Sequence, residues 1–330
     1  MSYAAVECPR CGAGIPAGAS GTIVCAYCSA TLVETHGGFR VAEAFTDDAL
    51  DEPHLPRFWL EGARYRVEGR IARGDSSDVL LARRDHRLTE RVVVKLLRAS
   101  ADRDRLEAEA STLDALQRSS ARGSAHFSRL LPQPVARGAA RLGKDGSEGE
   151  AFVALYRHES GFVHDLVAVR AAYPDGVPVA AAVWMYKRVL ELLVFVHESG
   201  FVHGAILPRH LLVHARDHGV RPCGFTCAAR VGAPLPAKVA ADANFYPDGA
   251  ATATPALDLA MCARAVLWVL GGDPRQAPAG TPAEIARVTT DAAAGAGPGT
   301  AIDALAAIDG AARAALGAPR YVPFTMPGWN

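Results

Sequence analysis

Four cysteines near the start of the chain carry the clearest chemistry. They fall in two pairs, Cys8-Pro-Arg-Cys11 and Cys25-Ala-Tyr-Cys28, separated by residues 12–24. A Cys-x-x-Cys turn aims two thiolates at one point, and two such turns complete a closed tetrahedral set with no position left for substrate, which is the chemistry of structural zinc. Thiolates are soft donors and favour zinc over hard cations. Four unlinked buried thiols are the plainer reading. A redox pair is a second rival, but it does not explain two pairs. So short a segment has little core of its own, and a bound metal would supply its folding energy. Five histidines, His197, His203, His210, His214 and His218, are also crowded in sequence. No helix or hairpin pattern gathers three of them, which argues against a second metal site. Cys223 and Cys227 are expected to be buried, inert thiols.

The elements that must position such groups change character along the chain. Two short β-prone runs, 22–24 and 31–33, lie among the cysteines. Residues 36–62 read as a linker, with Gly37-Gly38, an acidic cluster (Asp47, Asp48, Asp51, Glu52) and Pro53 and Pro56. Within it, Phe58-Trp59-Leu60 is expected to pack the linker onto the domain after it. Strand patterns cover 65–72, 78–83, 91–97 and 152–156. An amphipathic helix is expected over 103–117, with Leu106, Ala110, Leu113 and Leu116 on one face. From Pro178 helices dominate. One over 181–198 carries the stripe Met185, Val189, Leu192 and Val196. Another over 257–270 is apolar nearly all round, and two Ala-rich stretches come after it, broken at 295–299. Strands with one helix, then mostly helices, predict an α+β, two-lobed layout.

The residues around these elements support two resemblances. The first thirty or so resemble the zinc ribbons found at the front of many bacterial proteins. Residues 65–270 resemble, in order, the landmarks of a protein kinase. Gly74 and Val79 sit where the glycine-rich loop would be. Val93 stands two positions before Lys95, which resembles the phosphate-binding lysine, and Glu109 resembles the glutamate that pairs with it. The segment from Phe201 through His203 to Pro208 resembles the catalytic loop. Phe225 matches the aromatic of the metal-binding motif, and Asp258 the buried aspartate that ties the loop down from below. His203, Phe225 and Leu113 would then stack in a hydrophobic column.

The resemblance also exposes what is missing. His203-Gly204-Ala205 puts a methyl group at the position of the general base. The two magnesium-ligand positions are His210 and Gly224. A general base is worth about 10²–10⁴ in rate, and losing both metal ligands removes charge neutralisation as well. Imidazole is a poor ligand for Mg²⁺, which prefers oxygen. Residues 227–244 hold no Ser or Thr, so phosphorylation cannot order that loop. The glutamate that closes this segment in kinases is replaced by Tyr246-Pro247-Asp248, and no arginine stands between 288 and 312 to pair with it.

The expected class is therefore α+β, a bilobal protein-kinase-like fold preceded by a small four-cysteine zinc ribbon. The ribbon spans 1–35, the linker 36–62 and the kinase-like domain 63–330, with lobes of about 63–158 and 159–330. The function implied is that of a catalytically impaired pseudokinase, a bacterial scaffold or allosteric regulator working through protein partners. It would carry zinc at Cys8, Cys11, Cys25 and Cys28. Nucleotide contact is vestigial at Gly74, Val79, Val93, Lys95 and Glu109, ATP binding weak and Mg²⁺ absent. The alternative is an atypical ATP-dependent serine/threonine kinase in which Asp75, Asp78 or Asp217 supplies rearranged metal ligands.

Composition narrows the partners. With 35 basic and 35 acidic side chains, the formal charge is zero, and the chain has no broad electrostatic hold on nucleic acid. Between Cys8 and Cys28 the only basic residue is Arg10 and the only aromatic Tyr27. Charged residues interrupt the start before any apolar run, and stretches such as 189–196 are too short to span a bilayer. Seven cysteines, four of them at metal spacing, suit a reducing compartment, so a cytoplasmic location is expected, away from membranes. The aromatic segment holding Tyr321, Phe324, Met326 and Trp329 either packs back on the domain or docks a partner.

Overall fold

The computed structural model describes residues 7–8, 13–16, 19, 22–26, 31–35, 38–41, 56–74, 76–86 and 90–326. Contacts divide the chain into two units. The first comprises Met1–Ala110, Gln133–Val163 and Pro327–Asn330, and the second Ser111–Pro132 and His164–Met326.

The first unit opens with a three-stranded antiparallel sheet in the order β1 (Thr22–Val24), β2 (Thr31–Thr35) and β3 (Gly38–Val41). Both β-prone runs among the cysteines are strands, and β3 falls in the stretch read as linker. Cys8, Ile23, Cys25 and Leu32 are buried in one small cluster.

The same unit contains a closed six-stranded antiparallel barrel. It is built from β4 (Arg57–Leu60), β5 (Ala63–Arg73), β6 (Ser77–Arg84), β7 (Arg91–Leu97), β8 (Pro134–Leu142) and β9 (Gly149–Arg157), in the order β4-β5-β6-β7-β9-β8. Side chains alternate across each strand. The inward set is Phe58, Leu60, Tyr65, Ala82, Val92, Val94, Ala140, Val153 and Leu155. Phe58 stacks on Tyr65 with ring centroids 5.1 Å apart. Register shifts in β5, at Val67/Gly69 and Arg70/Ala72, supply the bends that closure requires.

This barrel overturns the expected fold class. A bilobal protein-kinase-like fold behind a four-cysteine zinc ribbon is not what the chain forms. The finding is α+β with a closed barrel. The physical reason lies in Phe58-Trp59-Leu60. Its alternation places Phe58 and Leu60 inside, and β4 pairs with β5 on one side and with β8 on the other, through Phe58↔Leu142 and Trp59↔Arg141. A segment expected to lean on the domain is thus the strand that closes it. Cys11 and Cys28 lie outside the described residues. Among the described residues, no group of three or more His, Cys, Asp or Glu side chains could hold a metal ion.

Helix α1 (Arg103–Gln117) has the expected bounds, with Leu106, Ala110, Leu113 and Leu116 all buried. The second unit adds α2 (Ser124–Phe127), β10 (His164–Asp165), α3 (Leu166–Ala172), α4 (Val179–Glu198), β11 (Phe201–Val202), β12 (Leu211–His214), β13 (Gly219–Pro222), β14 (Ala229–Arg230), α5 (Pro255–Val269), α6 (Ala283–Ala293) and α7 (Ala301–Leu316). Helix α4 buries the predicted stripe against α5 and α7, and α5 is buried at nearly every position. Thr254 caps α5, its hydroxyl accepting from the Leu257 N–H at 3.2 Å. Asp165 caps α3 by accepting from the Ala168 N–H at 2.7 Å. Among the described residues, no helix is long and apolar enough to cross a membrane.

Candidate functional site

Each unit holds one cluster of the residues singled out by the sequence. In the first, β7 alternates Val92 and Val94 into the barrel, which puts Val93 and Lys95 on its outer face. Lys95 stands opposite Val79 on β6 and Ala154 on β9. The buried stripe of α1 carries Glu109 three residues after Leu106. The structure brings the two charges together: Lys95 Nζ lies 2.5 Å from Glu109 Oε1 and 2.6 Å from Oε2. The glutamate is 1% exposed and the lysine side chain 13%. Lys95 Nζ also sits 5.8 Å from the centre of the Tyr156 ring. Such a pair contributes little net stability, because desolvation offsets the attraction, but removing one partner strands the other. Gly74 lies in the turn between β5 and β6, its N–H donating to the Ser77 carbonyl at 2.9 Å. Asp78 is held by Arg98 at 3.4 Å and Arg73 at 3.7 Å. Asp75 lies outside the described residues.

In the second unit, α5 aims Asp258, fully buried, at the segment after β11. One carboxylate oxygen accepts from the His203 N–H at 2.8 Å and faces His197 Nε2 at 3.0 Å; the other accepts from the Gly204 N–H at 2.9 Å. Three donors on one buried carboxylate make a lock on the loop backbone. His203 is itself buried. Its Nδ1 accepts from the Ala205 N–H at 3.2 Å, so Nε2 carries the hydrogen and donates to the Cys223 carbonyl at 3.1 Å. Its ring lies 4.3 Å from that of Phe225, and Leu113 belongs to the same unit, fully buried.

The positions at which the resemblance puts metal ligands, 210 and 224, do meet. His210 Nδ1 donates to the Ala205 carbonyl at 2.9 Å, which lays the imidazole against Gly224. A Cβ at Gly224 would stand 2.8 Å from His210 Nε2 and Cδ2, and the glycine has φ +78°. The His210 ring therefore occupies the space a side chain at 224 would need. Gly204 is constrained in the same way, since a Cβ there would come within 2.4 Å of the Cys227 carbonyl oxygen. Ala205 offers only a methyl group. Asp217 is engaged elsewhere, 2.9 Å from Arg216 and 3.4 Å from His214, and the Arg216 hydrogen bond holds its carboxyl below the usual range.

Sequence reasoning missed several residues. Arg264 on α5, 4% exposed, donates to the carbonyls of Ala293 at 2.9 Å and Tyr246 at 2.5 Å, and so fixes the end of the 227–246 loop. Asp248 pairs with Arg275 at 2.9 Å on the surface. His164 on β10 is buried, and burial pushes its pKa down to about 4. A buried histidine inside a two-residue strand leaves no periodic signal. The five crowded histidines each have separate engagements: His197 with Asp258, His203 with Cys223, His210 with Ala205, His214 with Asp217, and His218 stacked on Trp184.

Compared with protein-family models and with curated proteins, the sequence matches none.

Proposed function

We propose that this protein works by binding protein partners, as a catalytically impaired, pseudokinase-type scaffold or allosteric regulator in the cytoplasm. The reading rests on the site residues and not on the fold class. The observation that carries it is the seating of the His210 ring on Gly224, at the two positions where the resemblance calls for metal ligands. With Ala205 beside them, the three positions that the resemblance assigns to a base and two metal ligands carry none of these groups, while Asp258 accepts from the His203 and Gly204 N–H groups and His203 lies against Phe225.

Transfer of labelled γ-phosphate in Mg²⁺ or Mn²⁺, measured beside a Lys95→Ala control, tests the proposal. No lysine-dependent turnover is expected, and clear turnover would overturn it. The intact Lys95–Glu109 pair is the one observation favouring the rival, an atypical kinase. A thermal-shift titration separates the two: the pseudokinase reading expects at most a small ATP shift that Mg²⁺ does not enlarge.

Zinc at Cys8, Cys11, Cys25 and Cys28 belongs to the same proposal. Cys8 and Cys25 share one small buried cluster, which suits a common thiolate site. Elemental analysis should return one zinc per chain and lose it in Cys8→Ser.

A further inference from the structure

Residues 321–326 contain no helix or strand, yet they are held in place. Phe324 and Met326 are 6% and 3% exposed, while Tyr321 stays 66% exposed. A ladder of rings accounts for this. Tyr173, at the end of α3, stacks on Phe324 at 5.5 Å. Trp184 of α4 meets Phe324 edge-on at 5.7 Å and stacks on His218 at 4.5 Å, nearly parallel. His218 in turn stacks on Tyr321 at 4.6 Å. Polar contacts pin the backbone: Tyr321 Oη donates to the Arg216 carbonyl at 3.0 Å, Tyr173 Oη to the Thr325 carbonyl, and His218 bonds to the backbone of Val322. His218 presents its ring from the β12–β13 turn at φ +51°, an unusual backbone for a non-glycine residue.

We propose that the face made by Tyr173, Trp184 and His218 is a docking groove for an extended peptide, and that residues 321–326 are its occupant in cis. The partner it fits is a segment of another protein with an aromatic residue, a second aromatic three residues on, and a long flexible apolar residue two further, the spacing of Tyr321, Phe324 and Met326. Two arguments carry this. A segment that continued a helix or sheet would be part of the fold, whereas one held by side-chain anchors and a few carbonyls has fewer bonds to give up when a like segment takes its place. Pro319 and Pro323 also bias the residues before them to extended backbone, so the segment is partly pre-organised and loses less entropy on docking. Because residues 321–326 are tethered, they compete at an effective concentration on the order of millimolar, and a free peptide enters only when they are released. The inference does not depend on whether the chain transfers phosphate.

The test uses the full chain with Tyr321→Ser and Phe324→Ser, and a fluorescein-labelled peptide of residues 318–326 read by anisotropy. The peptide should bind this released variant at least about tenfold more tightly than it binds the wild-type chain. Adding Trp184→Leu should abolish the gain. A milder release, Phe324→Leu, should fall between the two and keeps the test open if the double variant does not fold. Equal binding to wild-type and released chains, or none to either released variant, would overturn the proposal.

Discussion

The Lys95–Glu109 pair and the Asp258 lock are both buried and ionic, but they differ in what the carboxylate holds. Glu109 faces a side chain whose length and charge suit a phosphate as well as a carboxylate. Asp258 faces two backbone N–H groups and a histidine, and these donors have no use except to fix the chain. Around Lys95 the polar contact is between two side chains. Around Asp258, positions 204, 205 and 224 are Gly, Ala and Gly, and the His210 ring lies against Gly224. Groups that bond to backbone persist because removing them leaves buried donors unsatisfied.

Removing the lock should have the largest effect. Asp258→Ala leaves the His203 and Gly204 N–H groups buried without an acceptor, and should cost about 4 kcal/mol, measured by urea denaturation. A loss near zero would mean the loop does not need its carboxylate, and the contrast would fail.

Glu109→Ala strands a mostly buried lysine and should cost about 3 kcal/mol. In a double-mutant cycle with Lys95→Met, much of that cost should vanish, because the stranded charge is gone. Full additivity would show that the pair contributes nothing as a pair.

A pH effect should arise in the second unit. Burial holds His164 at a pKa of about 4, below its unfolded value of about 6.5. Between those values the unfolded chain binds more protons than the native one, so stability rises with pH across that window and falls as acid is added. The full span is worth about 3 kcal/mol at most, and His164→Leu should flatten the stability curve, read by urea denaturation, across that same window.

The smallest effect concerns the filled site. Gly224→Ala should cost about 2 kcal/mol, from the positive φ and from crowding against His210. Adding His210→Ala should recover about half, since only the crowding is relieved. Recovery of nothing would mean that the ring is not what fills the space.

Much of the molecule was legible in the sequence because its signals are periodic. Helix α1 and the α4 stripe repeat at 3.6 residues and the central strands at 2, while α5 shows as an unbroken apolar run, and the structure has them close to the expected bounds. The Lys95–Glu109 contact and the Asp258 lock were legible too, from residue types at matching positions. What was not legible has no period. Strand β8 is rich in Ala, Gly and Arg and carries little β preference of its own, and β10, β11 and β14 are two residues long.

The amino-acid sequence by itself determined that position 205 carries only a methyl group and position 224 no side chain, whatever the fold. Tertiary structure alone decided that the barrel closes, since closure depends on β4 finding β8, far along the chain. It also decided that His210 fills the space at Gly224 and that Phe324 lies against Tyr173 and Trp184. Each of these is a contact between residues distant in sequence, set by packing and backbone hydrogen bonds that no local pattern encodes.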